Sequence, residues 1–180
     1  VAFFYLYFAE SDQDWGVVET GLGGRFDLTN VLMPELSVIT NIDYDHVNSL
    51  GPELWRIAWQ KAGIIKQHKP AITGELKPEA LAEIRKEAQI QGARLYCLDE
   101  DWSWETVSMD HSGTTLNVVA PYGRYEQVWM PILGPFQAQN AGLAIAAVDV
   151  LAHEQGLDLT PNVVRAQLAS ARLPGRLEVM

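Results

Sequence analysis

Two residues that can bind a cation follow short apolar runs of the sequence. Glu19 is the next-to-last residue of the run WGVVET and precedes the glycine-rich stretch TGLGGRFD, and His46 lies in TNIDYDH, just after the run LSVIT. If both runs are strands of one parallel sheet, their carboxyl ends lie at the same edge, where α/β proteins bind ligands. A carboxylate and an imidazole at that edge are suitable ligands for a divalent cation.

Both signals also have a purely structural interpretation. The glycines of GLGG fit a plain tight turn, and His46 can be hydrogen-bonded to Asp43 or Asp45 within its own turn. Neither the phosphate loop G-x-x-x-x-G-K-[ST] nor the dinucleotide fingerprint G-x-G-x-x-G fits the glycine-rich stretch. The residue types alone therefore leave a metal site and a structural turn both open.

Lys61 is a third residue of interest because it lies on an apolar helix face. If RIAWQKAGII is helical, one stripe contains Leu54, Ile57, Ala58, Lys61, Ile64 and Ile65. The ammonium of Lys61 can extend along the helix surface to water, or it can pair with Glu19, Asp43 or Asp45. It can also be held neutral by burial, which makes the amine nucleophilic and open to modification.

The order of the apolar runs predicts an α/β fold, with a mostly parallel sheet flanked by helices. The predicted core strands are 15–20, 36–40, 70–75 and 93–98. The predicted helices are the end of a buried helix at 1–11, one from Pro52 to about Lys66, and one from Pro78 to about Gln91 with Gly92 as its cap. The link from Thr20 to Leu36 is so short that it is expected to be mostly loop.

The pattern changes in the second half of the chain. Three strand-like runs, WSWETVSMD, TTLNVVAP and YEQVWMPI, are separated by HSG and YG turns and predict an antiparallel β-meander at the edge of the sheet. A periodic helix is predicted over 135–156 with Gly156 as its cap. A last helix begins at Thr160-Pro161, with threonine as N-cap and proline at the first helical position.

Composition excludes several classes of protein. The formal net charge is -10 and no lysine or arginine run interrupts it, so a nucleic-acid partner is not expected. The first ten residues are apolar but too short to span a bilayer, and no membrane segment is predicted. The single cysteine, Cys97, rules out an intrachain disulfide and fits a reducing, cytoplasmic location.

Five blocks in this order resemble a known family. They are LYFAESDQDWGVVETGLGGRFDLTNVL, TNIDYDHVNSLG, IAWQKAGIIK, GPFQAQNAGLAIA and LPGRLE. Together they are similar to the folylpolyglutamate synthase / dihydrofolate synthase branch of the Mur ligase superfamily. The resemblance implies a P-loop NTPase-like central domain and an ATP-dependent amide ligase. Such a ligase phosphorylates a carboxylate of dihydropteroate or folate, and the amine of L-glutamate then attacks the acyl phosphate.

The resemblance also implies roles for individual residues. Glu19 and His46 match magnesium ligands of the family, and Lys61 matches a lysine that is typically carbamylated. Arg25 and Asp27 in the glycine-rich stretch match residues on the pterin side of the substrate site. For the nucleotide, Asn140 matches a residue that contacts adenine, and Arg176 matches an arginine directed at ATP.

The sequence also departs from the family. Phe136 replaces a usual histidine, Thr20 a usual valine and Asn41 a frequent serine, and none of these changes removes a metal ligand. The family's P-loop segment and C-terminal Rossmann-like domain have no counterpart in these residues. We therefore expect residues 1–174 to be a central ATP-binding domain without its P-loop segment and residues 175–180 to be a linker, with little or no activity in isolation.

Two alternatives to a folate ligase remain at this point. The first is another Mur-type ligase that adds an amino acid to a cell-wall precursor or a polymer. The second is a non-catalytic, truncated α/β module. The GGRFDLTN stretch favours the folate branch over another Mur-type ligase, and the retained Glu19, His46 and Lys61 argue against degeneration of the parent protein.

Overall fold

The computed structural model describes residues 2–172. Its helices are α1 (Ala2–Glu10), α2 (Val47–Leu50), α3 (Leu54–Ala62), α4 (Pro78–Gln91), α5 (Pro135–Gln155) and α6 (Pro161–Ala169). Its strands are β1 (Ser37–Ile39), β2 (Ala71–Thr73), β3 (Leu95–Cys97), β4 (Ser103–Asp110), β5 (Gly113–Val119) and β6 (Arg124–Met130), and a 3-10 helix covers Leu28–Val31. No described helix combines the length and the apolar character that crossing a bilayer requires.

The first half of the chain forms a parallel three-stranded sheet in the order β1-β2-β3. Ser37 is in register with Ala71, and Ala71 with Leu95. Helices α2 and α3 connect β1 to β2, and α4 connects β2 to β3, which is the strand–helix alternation expected of a parallel sheet. The predicted α/β class is confirmed, and the link from Thr20 to Leu36 is mostly loop around the 3-10 helix.

The second half begins with the predicted meander. Strands β4, β5 and β6 pair antiparallel in sequence order as a three-stranded sheet of their own. An isolated bridge between Leu98 and Trp102 joins the start of this meander to the end of β3, which is the last strand of the parallel sheet. The indole of Trp102 is buried and donates a hydrogen bond to the carbonyl of Thr73, 3.2 Å away. The two sheets are therefore fixed to each other at this edge.

Two groups of buried apolar residues stabilise the fold. One lies under β1 and β2 and is formed largely by α3 and α4, with Ile42, Ile57, Ile65 and Ile84 among its fully buried members. The other joins the meander to α5 and α6. The burial of Leu54, Ile57 and Ala58 confirms the predicted apolar stripe of α3.

A polar contact fixes α5 inside the second core. Asp149 is buried and accepts hydrogen bonds from the Tyr125 hydroxyl at 2.7 Å and from the backbone N–H of Tyr122 at 2.8 Å. Burial and the Asp149 hydrogen bond raise the pKa of Tyr125 above its usual range. Because the carboxylate is satisfied by two donors, it holds α5 against the turn between β5 and β6 at little net cost.

The predicted helix ends are confirmed in the second half and in α4. Gly92 and Gly156 adopt left-handed conformations, with φ of 57° and 66°, directly after α4 and α5. Thr160 caps α6 by accepting a hydrogen bond from the backbone N–H of Val163, and Pro161 is the first helical residue. These caps satisfy backbone groups that a helix end leaves free.

The prediction of a core strand at 15–20 is wrong. These residues have no strand structure, and the Val17 side chain is fully exposed at 101%. Valine-rich composition favours an extended backbone, but a strand also needs a neighbour to accept its hydrogen bonds and to cover its side chains. Within residues 2–172, β1 pairs only with β2, and residues 15–20 do not extend the sheet.

The first helix forms as predicted, but it is not buried in this structure. Phe3 is 89% exposed and Tyr7 74% exposed, although α1 is apolar along its whole length. A helix that is apolar on all faces usually indicates a buried position. In α1 that inference fails: the Tyr5 hydroxyl donates to the carbonyl of Thr29 at 3.3 Å and the Phe8 ring lies against Gly16, but Phe3 and Tyr7 remain exposed.

Candidate functional site

The glycine-rich stretch packs against the carboxyl end of α3. A Cβ atom added to Gly24 would lie 2.8 Å from the Ile64 side chain and 2.9 Å from the carbonyl oxygen of Gln60. The backbone N–H of Arg25 donates a hydrogen bond to that same carbonyl at 2.7 Å. Only glycine fits this approach, so the loop needs Gly24 to reach the last turn of α3, which carries Lys61.

Asp27 closes the glycine-rich loop on itself. Its carboxylate accepts hydrogen bonds from the backbone N–H of Leu22 at 3.1 Å, and from the N–H and hydroxyl of Thr29 at 2.9 Å and 2.5 Å. The Thr29 hydroxyl, followed by the backbone donors, lowers the pKa of Asp27 from 3.8 to about 2. The residue is also the N-cap of the 3-10 helix, so the ionised carboxylate organises the loop.

The hydrogen bonds of Asp27 predict a pH-dependent contribution to stability. Because its folded pKa is depressed, the contribution is complete above pH 3.8 and is lost as the pH falls toward about 2. After allowance for solvent screening we expect about 1 kcal/mol. The difference in free energy of unfolding between the wild type and Asp27→Asn, measured by urea titration, should shrink over this range. A difference that stays constant with pH contradicts this role of Asp27. Asp12 is exposed, so Asp12→Asn serves as the control.

The guanidinium of Arg25 is bound by groups of α3 and α4. It donates to Glu87 at 2.5 Å and to the carbonyl of Trp59 at 3.2 Å, and it lies 4.2 Å above the Trp59 ring. The Glu87 side chain is only 7% exposed and accepts a further hydrogen bond from Gln91 at 2.8 Å. Arg25 thus ties the glycine-rich loop to α3 and α4, a role that the sequence did not suggest.

Lys61 is half-buried at the border of the apolar stripe of α3. Its backbone carbonyl accepts from the N–H groups of Gly63 and Ile64 as the helix ends. Within residues 2–172, the Lys61 ammonium has no hydrogen bond or ion pair, including with the predicted partners Glu19, Asp43 and Asp45. Its amine is therefore not committed to another side chain.

His46 lies in the loop after β1, as predicted, with an exposed imidazole. It adopts a left-handed conformation, with φ of 50°, and precedes α2. Its Nε2 atom lies 3.5 Å from a carboxylate oxygen of Asp45, the contact that the structural interpretation anticipated. Non-glycine residues seldom adopt this conformation, and those that do are often found at functional sites.

Glu19 is exposed in the segment without regular secondary structure before the glycine-rich loop, and no hydrogen bond joins it to His46 or Lys61 in the described chain. Among residues 2–172, the one group of three side chains close enough to share a metal ion is Cys97, Glu100 and Asp101. Glu100 in that group is already bonded to Arg85 at 2.5 Å. The structure thus does not assemble Glu19 and His46 into a cage made of protein ligands alone.

Two residues on the same edge of the sheet were not predicted from the sequence. Glu75 and Lys77 follow β2, and both contact Ile42 in the loop that carries His46. The only signal in the sequence is a pair of opposite charges, Glu75 and Lys77, at and just beyond the end of the predicted strand 70–75. Their contacts connect the ends of β1 and β2.

Asn140 is exposed in the second turn of α5. The neighbouring Gln139 and Leu143 face Gly74 at the carboxyl end of β2, so the start of α5 lies at the same edge of the parallel sheet. Arg176 lies outside the described residues.

Comparison with known proteins gives a family for most of the chain. Residues 3–148 match the model of the Mur ligase middle domain. The chain is 40% identical over 177 residues to a dihydrofolate synthase/folylpolyglutamate synthase of Bacillus subtilis and 35% identical over 174 residues to a folylpolyglutamate synthase of Lacticaseibacillus casei. The matches cover 98% and 97% of this chain but 41% of each relative.

Solved structures agree with this similarity. The apo form of L. casei FPGS superimposes with a TM-score of 0.92 at 35% identity, over 97% of this chain and 42% of that one. An FPGS–AMPPCP–folate complex superimposes with a TM-score of 0.91 at 35% identity and the same coverage. The predicted fold is therefore the fold of solved relatives, and the chain spans about two fifths of their length.

Proposed function

Because the chain belongs to the Mur ligase family through its middle domain, we propose that it is the central part of an ATP-dependent ligase that adds L-glutamate to dihydropteroate or folate. The observation that carries this proposal is the 40% identity to a dihydrofolate synthase/folylpolyglutamate synthase across 98% of the chain. A relative bound to an ATP analogue and folate supports the same classes of substrate.

The proposed reaction proceeds in two steps. A carboxylate oxygen of the folate substrate attacks the γ-phosphorus of ATP, which forms an acyl phosphate and releases ADP. The amine of glutamate then attacks the acyl carbon, the amide bond forms, and inorganic phosphate leaves with one former carboxylate oxygen while the amine loses a proton. Positioning and charge neutralisation account for most of the catalysis in such a phosphoryl transfer.

Glu19 and His46 are the residues that we propose as protein ligands of a magnesium ion. Magnesium commonly takes one or two protein ligands and completes its octahedron with water and phosphate oxygens. An exposed carboxylate and an exposed imidazole, with no all-protein cage, fit that donor set. When bound, the ion supplies positive charge for the transferring phosphoryl group.

Lys61 fits this site only if its positive charge is removed, because an ammonium repels a divalent cation. We propose that its neutral amine adds carbon dioxide: a nitrogen–carbon bond forms and one proton leaves to solvent, which gives a carbamate anion. The half-buried amine without a partner among the described residues is available for this step. In protein supplied with carbon-13-labelled bicarbonate, we expect a carbamate resonance that Lys61→Arg abolishes. Absence of this resonance in the wild type contradicts the modification.

Four further residues are proposed to bind the nucleotide or to shape the folate site. Asn140 is proposed to contact adenine from the start of α5, and Arg176 to contact the nucleotide. Arg25 and Asp27 are proposed to act on the folate side by fixing the shape of the glycine-rich loop, since both side chains are bonded within the protein.

An oxygen-18 experiment tests the proposed chemistry. If folate substrate labelled in both carboxylate oxygens is turned over by the protein expressed from its full reading frame, one labelled oxygen should appear in each inorganic phosphate. A reaction in labelled water with unlabelled substrate is the control and should leave phosphate unlabelled. Amide formation with no label in phosphate contradicts an acyl-phosphate intermediate.

A further inference from the structure

We propose that Glu75 and Lys77 form a clamp on the backbone of Ile42 and thereby position the loop that carries His46. The proposal rests on the proposed metal role of His46. It assigns neither clamp residue a contact with substrate or metal. Both act through the loop after β1, from the loop after β2.

Glu75 is the buried half of the clamp. The residue is 2% exposed, and one oxygen of its carboxylate accepts the backbone N–H of Ile42. The other oxygen accepts the N–H groups of Leu76 and Lys77 at 2.9 Å and 2.6 Å, just before α4 begins at Pro78. A buried carboxylate is costly unless it is fully hydrogen-bonded, so these donors hold it in one orientation.

Lys77 is the outer half. Its ammonium donates to the carbonyl oxygen of Ile42 at 2.5 Å and lies 3.8 Å from the carboxylate of Asp43. The N–H and the carbonyl of Ile42 are therefore each bound by a side chain from the same short segment. The Ile42 side chain is also fully buried, so core packing and the two polar contacts restrain the same residue.

The clamp fixes the start of the loop that carries His46. Gly74 also binds this region, because its N–H donates to the carbonyls of Ile39 and Thr40 at 3.0 Å and 3.1 Å. Beyond Ile42, the only hydrogen bonds and ion pairs of the Asp43 and Asp45 carboxylates among residues 2–172 are with the backbone N–H of the next residue and with the exposed side chains of Lys77 and His46. Among residues 2–172, Ile42 is thus the last one before His46 whose backbone is hydrogen-bonded to a neighbouring segment of the fold.

The test uses the full-length protein with Mn²⁺ as the probe, since its electron paramagnetic resonance reports bound and free ion directly. His46→Ala identifies the site by the Mn²⁺ binding that it removes. Glu75→Gln and Lys77→Met are the clamp variants, and Glu126→Gln and Lys86→Met are exposed controls of the same chemistry. Hydrogen exchange of residues 40–46 is measured beside that of β3.

We expect both clamp variants to weaken Mn²⁺ binding about 10-fold, the lower end of the effect of changing a residue that orients a metal ligand. Exchange should rise in 40–46 and stay unchanged in β3, and the controls should behave as the wild type. Wild-type Mn²⁺ affinity in both clamp variants overturns the proposal, even if exchange rises. If His46→Ala removes no Mn²⁺ site, the metal role of His46 fails; increased exchange in 40–46 then supports the clamp as a loop anchor, and unchanged exchange overturns it.

Discussion

Replacing Arg25 by methionine is expected to lower the free energy of unfolding by about 3 kcal/mol, because it leaves a buried carboxylate without its partner. The Arg25 guanidinium and Glu87 are 2.5 Å apart, and their side chains are 21% and 7% exposed. The variant also loses the stacking on Trp59. Glu87 keeps its hydrogen bond from Gln91, which places the expected loss at the lower end of the range for a broken buried pair.

The chain contains a matched control for this prediction. Arg85 and Glu100 are also 2.5 Å apart, but their side chains are 45% and 57% exposed. Exposed ion pairs contribute little, so Arg85→Met should cost no more than about 1 kcal/mol. Urea unfolding of both variants makes the comparison. Equal losses for Arg25→Met and Arg85→Met contradict the role of burial, and Arg25→Met/Glu87→Met should recover part of the stability because no unpaired charge remains.

Glu19→Gln and His46→Ala are expected to reduce ATP-dependent phosphate release by about 100-fold or more in the full-length protein. A catalytic metal contributes several kcal/mol of charge stabilisation, and each 1.4 kcal/mol corresponds to about tenfold in rate. In the described part of the chain neither side chain is buried or hydrogen-bonded to a second element, so both variants should unfold at the wild-type urea concentration.

His111→Ala and Glu126→Gln are the controls for these two variants, because both residues are exposed on the meander. They should retain wild-type rates. Raising the magnesium concentration should recover part of the activity of Glu19→Gln, since weaker binding is compensated by mass action. Wild-type activity in His46→Ala would contradict the proposed metal site.

Local sequence signals predicted those parts of the fold that local physics determines. Gly92, Gly156 and Thr160 mark helix ends correctly because cap conformations depend on a few neighbouring residues. The prediction of short strands after Leu36 and Pro70 was also correct, because the helices that cover both strands lie in the same stretch of sequence. The failed strand at 15–20 needed a neighbouring strand, and no local pattern specifies one.

The residues of the candidate site divide in the same way, into those that local patterns predict and those that depend on distant partners. The position of His46 after a strand and of Lys61 on an apolar helix face could be predicted from periodicity. The partners of Arg25 could not, because Glu87 lies 62 residues away in the chain. Glu75 was missed for a similar reason: its carboxylate binds a backbone N–H 33 residues earlier, and backbone donors leave no mark on the sequence.

The most direct test of the proposed ligase function is substrate-dependent phosphate release by the protein expressed from its full reading frame. With ATP and magnesium, release should require both L-glutamate and a folate acceptor, tested separately as dihydropteroate and tetrahydrofolate, and the product should carry one additional glutamyl residue for each phosphate. Phosphate release that needs neither acceptor, or that requires a cell-wall precursor in place of folate, would contradict the proposal.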